Sequence, residues 1–199
     1  MIDLKDLGTF DSVPEIVIDI VKGNILVLEN ALAAGWDIHK SIQLGKYSEY
    51  SPLELALVMN CLPSVRWLVE HGANLNEKEN PSFLLAVRYG TKEIIEYVVA
   101  HGANIHVLNA VGVDAFQAAL YGKQYENLQR IHDLGYTVQK YGGKAFRNAI
   151  TDRNYEVLDF FINNGVDINY NKPDSVYPFK PTPLCVAARY VDLQMCKYL

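Results

Sequence analysis

"VEHGANLN" at residues 69–76 and "VAHGANIH" at residues 99–106 are nearly the same phrase, thirty positions apart. Related segments supply three more glycines in similar surroundings, so the full set of anchors is Gly35, Gly72, Gly102, Gly135 and Gly165. Their spacings are 37, 30, 33 and 30 residues. A period of this length predicts an array of similar units, because a unit this small cannot bury its apolar face alone and needs stacked neighbours.

Each anchor glycine follows an amphipathic segment and precedes a polar–apolar alternation. Glycine in this position is typical of a helix C-terminus, where the chain turns in the left-handed conformation that other residues resist. Sixteen residues before four of the glycines stands an alanine, at Ala56, Ala86, Ala119 and Ala149. We therefore predict two short helices per unit, the first around the alanine and the second ending at the glycine.

The segment "TPLCVAARY" (182–190) begins a further unit, whose capping glycine would fall beyond Leu199. The expected organisation is an N-terminal capping segment at residues 1–13, followed at residues 14–199 by about six units, the last incomplete. The final stretch is apolar at Leu193, Cys196 and Leu199. This edge favours either a longer array, of which the chain is a fragment, or end-to-end contact with another copy.

"SPLELA" (51–56) and "TPLCVA" (182–187), together with the two His-Gly-Ala-Asn phrases, closely resemble the ankyrin repeat and its Thr-Pro-Leu-His-x-Ala signature. The resemblance covers nearly the whole chain and implies an all-α solenoid of stacked helix-turn-helix units with short β-turn fingers. "NAVGVD" (109–114) resembles the family's finger, which is shortened before the third and fifth units. The signature histidine is absent, and its slot holds Glu54, Leu84, Gln117, Arg147 and Cys185.

Two connections are longer than the rest, at residues 40–50 and 170–181, and both are polar with interspersed aromatic residues. Repeat proteins place such insertions on one face. We predict that these fingers contribute to binding through Tyr47, Tyr50, Tyr177 and Phe179, because exposed aromatic side chains are costly to keep without a use. The alternative is that both are tolerated surface loops.

The resemblance also implies a concave face, lined by the two residues that follow the alanine pair of each first helix. Arg-Tyr occurs there twice, and Tyr, Arg and Met are enriched at interface centres. The basic residues in these slots outnumber the single acid, Asp152, which favours an acidic or mixed partner surface. The alternative is that the tyrosines pack between repeats. The predicted concave contacts are Met59, Arg88, Tyr89, Tyr121, Arg189 and Tyr190.

The pattern predicts no catalysis, no cofactor and no metal. The histidines occupy repeat positions, His71 and His101 directly before capping glycines, and the chain has no HExxH, GxSxG or Walker-type phosphate loop. A net charge of −5 and a pI near 5.5 argue against nucleic acid as a partner. No apolar run reaches the length of roughly 18 residues that spans a membrane.

The three cysteines form no CxxC pair, which favours a reducing, cytoplasmic setting, although secretion as an effector stays open. The leading hypothesis is a monomeric protein-binding module, an adaptor or scaffold or a neutralising or effector-type binder, for a protein partner of unknown identity. The first alternative is a partner-recruiting ankyrin segment of a larger enzyme that extends beyond Leu199. The second is an assembly protein that associates end to end through its C-terminal edge.

Overall fold

A computed structural model describes residues 14–44, 48–77, 81–173, 178–190 and 192–199, which leaves the predicted cap at residues 1–13 outside the described part. The described chain is mostly helical and confirms the all-α prediction. It divides into two compact units, unit 1 at residues 1–114 and unit 2 at residues 115–199.

Unit 1 contains six helices and two short strands within its described residues. The helices are α1 (Glu15–Lys22), α2 (Ile25–Ala33), α3 (Pro52–Val58), α4 (Leu62–Glu70), α5 (Ser82–Tyr89) and α6 (Lys92–Ala100). The strands are β1 (Ile42–Leu44) and β2 (Ser48–Tyr50). Consecutive helices pack as pairs, and α3 also contacts α1 and α5, while α4 contacts α2 and α6.

Unit 2 contains six helices within its described residues. They are α7 (Ala115–Tyr121), α8 (Glu126–Asp133), α9 (Val138–Asp152), α10 (Tyr155–Asn163), α11 (Pro183–Arg189) and α12 (Leu193–Tyr198). Again consecutive helices pair, and α9 contacts both α7 and α11. In both units, therefore, the first helix of a pair packs on its own partner and on the first helix of the next pair.

The anchor glycines follow the second helix of the first five pairs, as predicted. Gly72 and Gly102 have φ values of 92° and 95°, in the left-handed region, and Gly35, Gly135 and Gly165 share this conformation. At Gly72 the following N–H, of Ala73, donates to the Leu68 carbonyl, while Gly72 itself donates to Val69. These are the two hydrogen bonds of a Schellman cap, which satisfy helix-terminal carbonyls.

The alanine slots lie in the core, where a small side chain lets two first helices approach closely. Ala56, Ala86 and Ala119 are 0% exposed, and Ala149 is 1% exposed. In the first pair the same slot holds Asp19, which is half-buried and accepts a hydrogen bond from the Asn24 amide at 2.7 Å. Large apolar residues fill the surrounding space, each contributing roughly 1.5–3 kcal/mol by its burial. The fully buried large side chains include Ile20, Leu55, Leu68, Phe83, Phe116, Phe146 and Phe161.

The connection at residues 40–50, expected as a polar insertion, contains an antiparallel pair of strands. Ile42 lies opposite Tyr50, Gln43 opposite Glu49 and Leu44 opposite Ser48. Leu44 is only 1% exposed, and β2 contacts α3. The two strands of this connection therefore form an ordered element of unit 1, in which the Leu44 side chain is buried.

The turn before α9 also differs from expectation. The sequence predicted a shortened finger before the fifth unit, but the chain is helical from Val138 onward, which makes α9 a helix of 15 residues. "YGGKAF" (141–146) lies inside this helix. Glycine there permits close packing, because a Cβ added at Gly143 would lie 2.2 Å from the ring of Tyr170.

The first helices of several pairs end in a second left-handed turn, twelve residues before the anchor glycine. Gly23 and Asn60 occupy this position in unit 1, with φ values of 70° and 56°. Lys123 and Arg153 occupy it in unit 2, with φ values of 55° and 52°. This conformation costs a residue with a Cβ roughly 1–2 kcal/mol unless it is asparagine or aspartate, so unit 2 holds two strained turns.

Candidate functional site

The predicted concave residues of unit 1 are only partly accessible. Met59 is the C-terminal cap of α3 and is half-buried, and Arg88 and Tyr89, at the end of α5, are half-buried as well. The Arg88 guanidinium carbon lies 5.1 Å from the centre of the Tyr89 ring. Cation–π contacts of this kind stabilise by about 0.5–2 kcal/mol, so this Arg-Tyr pair has a packing role within α5.

The corresponding residues of unit 2 are accessible. Tyr121, the last residue of α7, is 48% exposed, and Tyr190, which caps α11, is 55% exposed. Arg189 beside it is exposed too. Two of the tyrosines predicted to line a binding face are therefore presented to solvent in this unit.

A cavity of about 250 Å³ lies at these slots, between the C-terminal ends of α9 and α11. Its floor is formed by two buried apolar residues, Ile150 and Ala187, which are 3% and 1% exposed. Thr151 and Tyr190 lie at its mouth, and the remaining lining residues are Arg153 and Asp192. The repeat pattern aligns the pair Thr151-Asp152 with the pair Arg189-Tyr190 of the next unit, and the structure brings Thr151 and Tyr190 to one cavity.

An ion pair closes one side of the cavity. Arg153 Nε lies 2.7 Å from Asp192 Oδ2, and the other Asp192 oxygen accepts the Met195 N–H at 3.0 Å, which caps α12. The carboxylate is mostly buried, whereas the Arg153 side chain is 64% exposed. Sequence reasoning missed both residues. Two features of the sequence pointed to them. Asp192 directly precedes a predicted helix, where an aspartate can cap it, and Arg153 lies twelve residues before an anchor glycine, as Gly23 does.

The connection at residues 170–181 is held at its base by a fully buried arginine. Arg147, in α9, donates from Nη1 to the carbonyls of Lys172 and Pro181, at 3.0 and 3.2 Å. Its guanidinium also lies 5.1 Å from the centre of the Tyr170 ring. The sequence showed Arg147 only as a departure at the signature-histidine slot, so its bridging role was not predicted.

The aromatic residues predicted to bind through the fingers differ in exposure. Phe179 is 82% exposed, whereas Tyr50, in β2, is half-buried. Tyr47 and Tyr177 lie outside the described residues. Within the described chain, Phe179 is thus the finger residue that fits the predicted contact role best.

The histidines before the anchor glycines lie where the sequence placed them, at helix C-termini. His71 Nδ1 is 2.7 Å from the Trp67 carbonyl and His101 Nδ1 is 2.8 Å from the Tyr97 carbonyl. Each ring also contacts the aromatic ring four residues earlier, stacked on Trp67 and tilted against Tyr97, with ring centres 4.1 and 3.9 Å apart. Asn164 serves the same position in unit 2, donating to the Phe160 carbonyl at 2.8 Å.

Two tyrosine hydroxyls have a raised pKa. At Tyr198 in unit 2, desolvation and a 2.5 Å hydrogen bond to Asp159 raise the pKa to about 12. At Tyr97 in unit 1, desolvation and the nearby Glu70 raise the pKa above its ordinary value of 10.0, and its hydroxyl donates to the Arg66 carbonyl at 3.4 Å. Both hydroxyls therefore favour the neutral form and act as donors.

The chain matches no protein-family model and no curated protein. Among the described residues, no group of three or more histidine, cysteine or acidic side chains is placed to hold a metal ion. Nor does any helix in that part of the chain combine the length and apolar character needed to cross a membrane.

Proposed function

We propose that the chain is a non-catalytic protein-binding module, built as an ankyrin-like array of helix pairs. The stacking of successive first helices within each unit, and the repeated capping by left-handed glycines, support this architecture. In such an array the helix ends form a rigid surface, which lowers the ordering cost of association.

The observation that carries the proposal is the cavity between α9 and α11. It lies at slots that the repeat pattern marks as variable, and an exposed tyrosine forms part of its wall. Tyrosine is enriched among the residues that dominate binding energy at interfaces, because it combines a large contact area with a polar tip. A partner side chain seated here would gain both an apolar floor and polar rim contacts.

The connection at residues 170–181 adds a second contact. Arg147 fixes both ends of this segment, and Phe179 stays largely exposed on it. A segment whose ends are held in place loses less conformational freedom on binding. Phe179 is therefore proposed as an anchor, together with Tyr121, Arg189 and Tyr190, while the half-buried Met59, Arg88, Tyr89 and Tyr50 contribute mainly packing.

The groups around the cavity suit binding better than catalysis. The Thr151 hydroxyl donates to the Asn148 carbonyl at 2.7 Å, and both oxygens of Asp192 are engaged. Nucleophilic catalysis needs a hydroxyl within hydrogen-bond reach of a general base. Here the Thr151 hydroxyl and the Asp192 carboxylate, which both line the cavity, are each committed to a structural contact.

The test compares Tyr190→Ala with Ile168→Ala in affinity capture of cross-linked partners from cells that make the protein. Ile168 is a suitable control because it lies in unit 2, is 46% exposed and does not line the cavity. We expect a partner that is retained by the unmodified chain and by Ile168→Ala but is at least tenfold depleted with Tyr190→Ala, about 1.4 kcal/mol. Circular dichroism must show equal thermal stability of the two variants.

Equal capture by Tyr190→Ala and Ile168→Ala would remove the cavity from the proposal. Phe179→Ala would then be tested in the same way, because the finger is an independent contact. If neither variant changes capture, the proposed binding surface is wrong.

A further inference from the structure

The cavity between α9 and α11 is small and has distinct apolar and polar sides. Typical small-molecule sites have volumes of roughly 300–1,000 Å³, and this cavity measures about 250 Å³. Ile150 and Ala187 form the buried floor, and Tyr190 forms an exposed wall. A space of this size and lining suits one apolar side chain.

The polar side of the cavity offers donors. Arg153 uses Nε for Asp192, and its side chain is 64% exposed. A guanidinium carries five N–H donors in a planar fork, so its Nη groups remain available to an incoming acceptor. Both oxygens of Asp192 are already engaged, one by Arg153 and the other by the Met195 N–H.

The surrounding charge is compatible with an anionic ligand. Arg189 next to Tyr190 is exposed, and Asp152 next to Arg153 is the exposed acid at this helix end. Unit 2 as a whole has ten Lys and Arg residues against eight Asp and Glu, a net charge of +2. Carboxylates form the strongest and most directional hydrogen bonds with guanidinium groups.

We propose that this cavity recognises an apolar side chain with a carboxylate within one residue of it, in a segment of the partner protein. The apolar side chain occupies the space above Ile150 and Ala187, and the carboxylate accepts hydrogen bonds from the Nη groups of Arg153. The carboxylate belongs either to a chain terminus or to an adjacent acidic residue. This inference rests on the proposed binding function and specifies its ligand chemistry.

The backbone at Arg153 allows a variant in which the loss of the ion pair to Asp192 is partly offset. Arg153 is in the left-handed region, with φ of 52°, so Arg153→Gly relieves backbone strain while deleting the guanidinium. Lys123→Gly is a matched control, because Lys123 has φ of 55° in the equivalent slot of unit 2 and does not line the cavity.

The experiment is a titration of the full-length ¹⁵N-labelled protein by NMR with four defined probes. N-acetyl-leucine carries an apolar side chain and a terminal carboxylate, and N-acetyl-leucyl-glutamyl-amide carries an acidic side chain instead. N-acetyl-leucinamide lacks the carboxylate, and N-acetylglycine lacks the apolar side chain. We expect saturable shifts at residues 150–153 and 187–193 with one or both of the first two probes, and about tenfold weaker binding of the amide.

Arg153→Gly should bind the acid and the amide equally, whereas Lys123→Gly should retain the tenfold preference. Binding of the amide as tightly as the acid to the unmodified protein would overturn the proposal, as would shifts confined to other residues or no shifts at all. Shifts of the same amides with rising protein concentration, before any probe is added, would indicate a second copy as the occupant and also overturn it. Loss of partner capture in Tyr190→Ala, together with unselective probes, would refute only this ligand chemistry.

Discussion

Units 1 and 2 share one arrangement of helix pairs but differ sharply in charge. Unit 1 has eight Lys and Arg residues and fifteen Asp and Glu residues, a net charge of −7, whereas unit 2 has ten and eight, a net charge of +2. The apolar face and the capping glycines recur in both. The repeat pattern therefore constrains packing, while the net charge varies independently and differs in sign between the two units.

The units also secure their connections differently. In unit 1 the Asn76 side chain donates to the Gly102 carbonyl at 3.0 Å and accepts the Asn104 N–H at 2.8 Å, so neutral hydrogen bonds join two successive turns. In unit 2 a buried cation, Arg147, joins the two ends of one connection. The first device is exposed and modest, whereas the second is buried and hence costly to disturb.

The largest expected effect is the loss of the Arg147 contacts in unit 2. Arg147→Leu should lower the free energy of unfolding by about 3 kcal/mol, because it leaves the carbonyls of Lys172 and Pro181 without their charged donor in a buried site. Urea unfolding followed by circular dichroism measures the change. Arg147→Lys keeps a cation but lacks the planar fork, so it should lower the free energy of unfolding by less than Arg147→Leu does. A loss below about 1 kcal/mol for Arg147→Leu would mean that the bridge contributes little.

A smaller loss is expected in unit 1. Asn76→Ala should lower the free energy of unfolding by about 1–2 kcal/mol, since two hydrogen bonds between turns disappear. Asn169, four residues after Gly165 as Asn76 is after Gly72, is exposed and makes no side-chain bond between turns within the described residues. Asn169→Ala should therefore change stability by less than about 0.5 kcal/mol. Equal losses in the two variants would contradict the role given to Asn76.

A gain of stability is expected at the left-handed turns of unit 2. Lys123→Gly should raise the free energy of unfolding by about 1 kcal/mol, because glycine adopts the left-handed conformation without strain. Asn60→Gly, at the matching turn of unit 1, should not stabilise, since asparagine tolerates this conformation and Asn60 Oδ1 accepts the Thr91 N–H at 3.0 Å. Thermal unfolding of the two variants measures the difference in stability. A gain of stability in both would show that the turns at Lys123 and Asn60 are equally strained.

The smallest effect concerns alkaline pH. The pKa of Tyr198 is raised from 10.0 to about 12 by burial and Asp159, so its contribution to stability is complete below pH 10 and is lost as the pH rises toward 12. Tyr198→Phe should therefore lose less stability than the unmodified chain across this interval. Urea unfolding of both proteins at the two ends of this pH interval measures the change in the free energy of unfolding. Equal changes in the two proteins would refute the raised pKa of Tyr198.

The periodic features were predictable from sequence because they repeat. The glycines and the alanine slots recur at fixed offsets, and their physical roles need nothing beyond local backbone conformation and side-chain size. The features that individualise the units were not predictable. Lys123 and Arg153 resemble ordinary surface residues, so their left-handed conformation leaves no sign in the composition, and the Arg153–Asp192 pair joins residues from successive helix pairs.

The buried arginine illustrates the same limit. A cation at an apolar helix position, as at residue 147, indicates an unusual contact but not its partners, which lie 25 and 34 residues further along the chain. The tyrosines lie at the ends of the first helices, and their exposure depends on neighbouring packing. Tyr89 lies under the guanidinium of Arg88, whereas Tyr190 stands at the mouth of a cavity.

The placement of the buried Trp67 in unit 1 has a consequence for spectroscopy. The chain has two tryptophans, Trp36 and Trp67, and both belong to unit 1, where Trp67 is 5% exposed. Indole emission therefore reports on unit 1 alone, while far-ultraviolet dichroism reports on helices in both units. If the two signals fall together as denaturant is added, the units unfold as one cooperative body; if they separate, each unit has its own unfolding equilibrium.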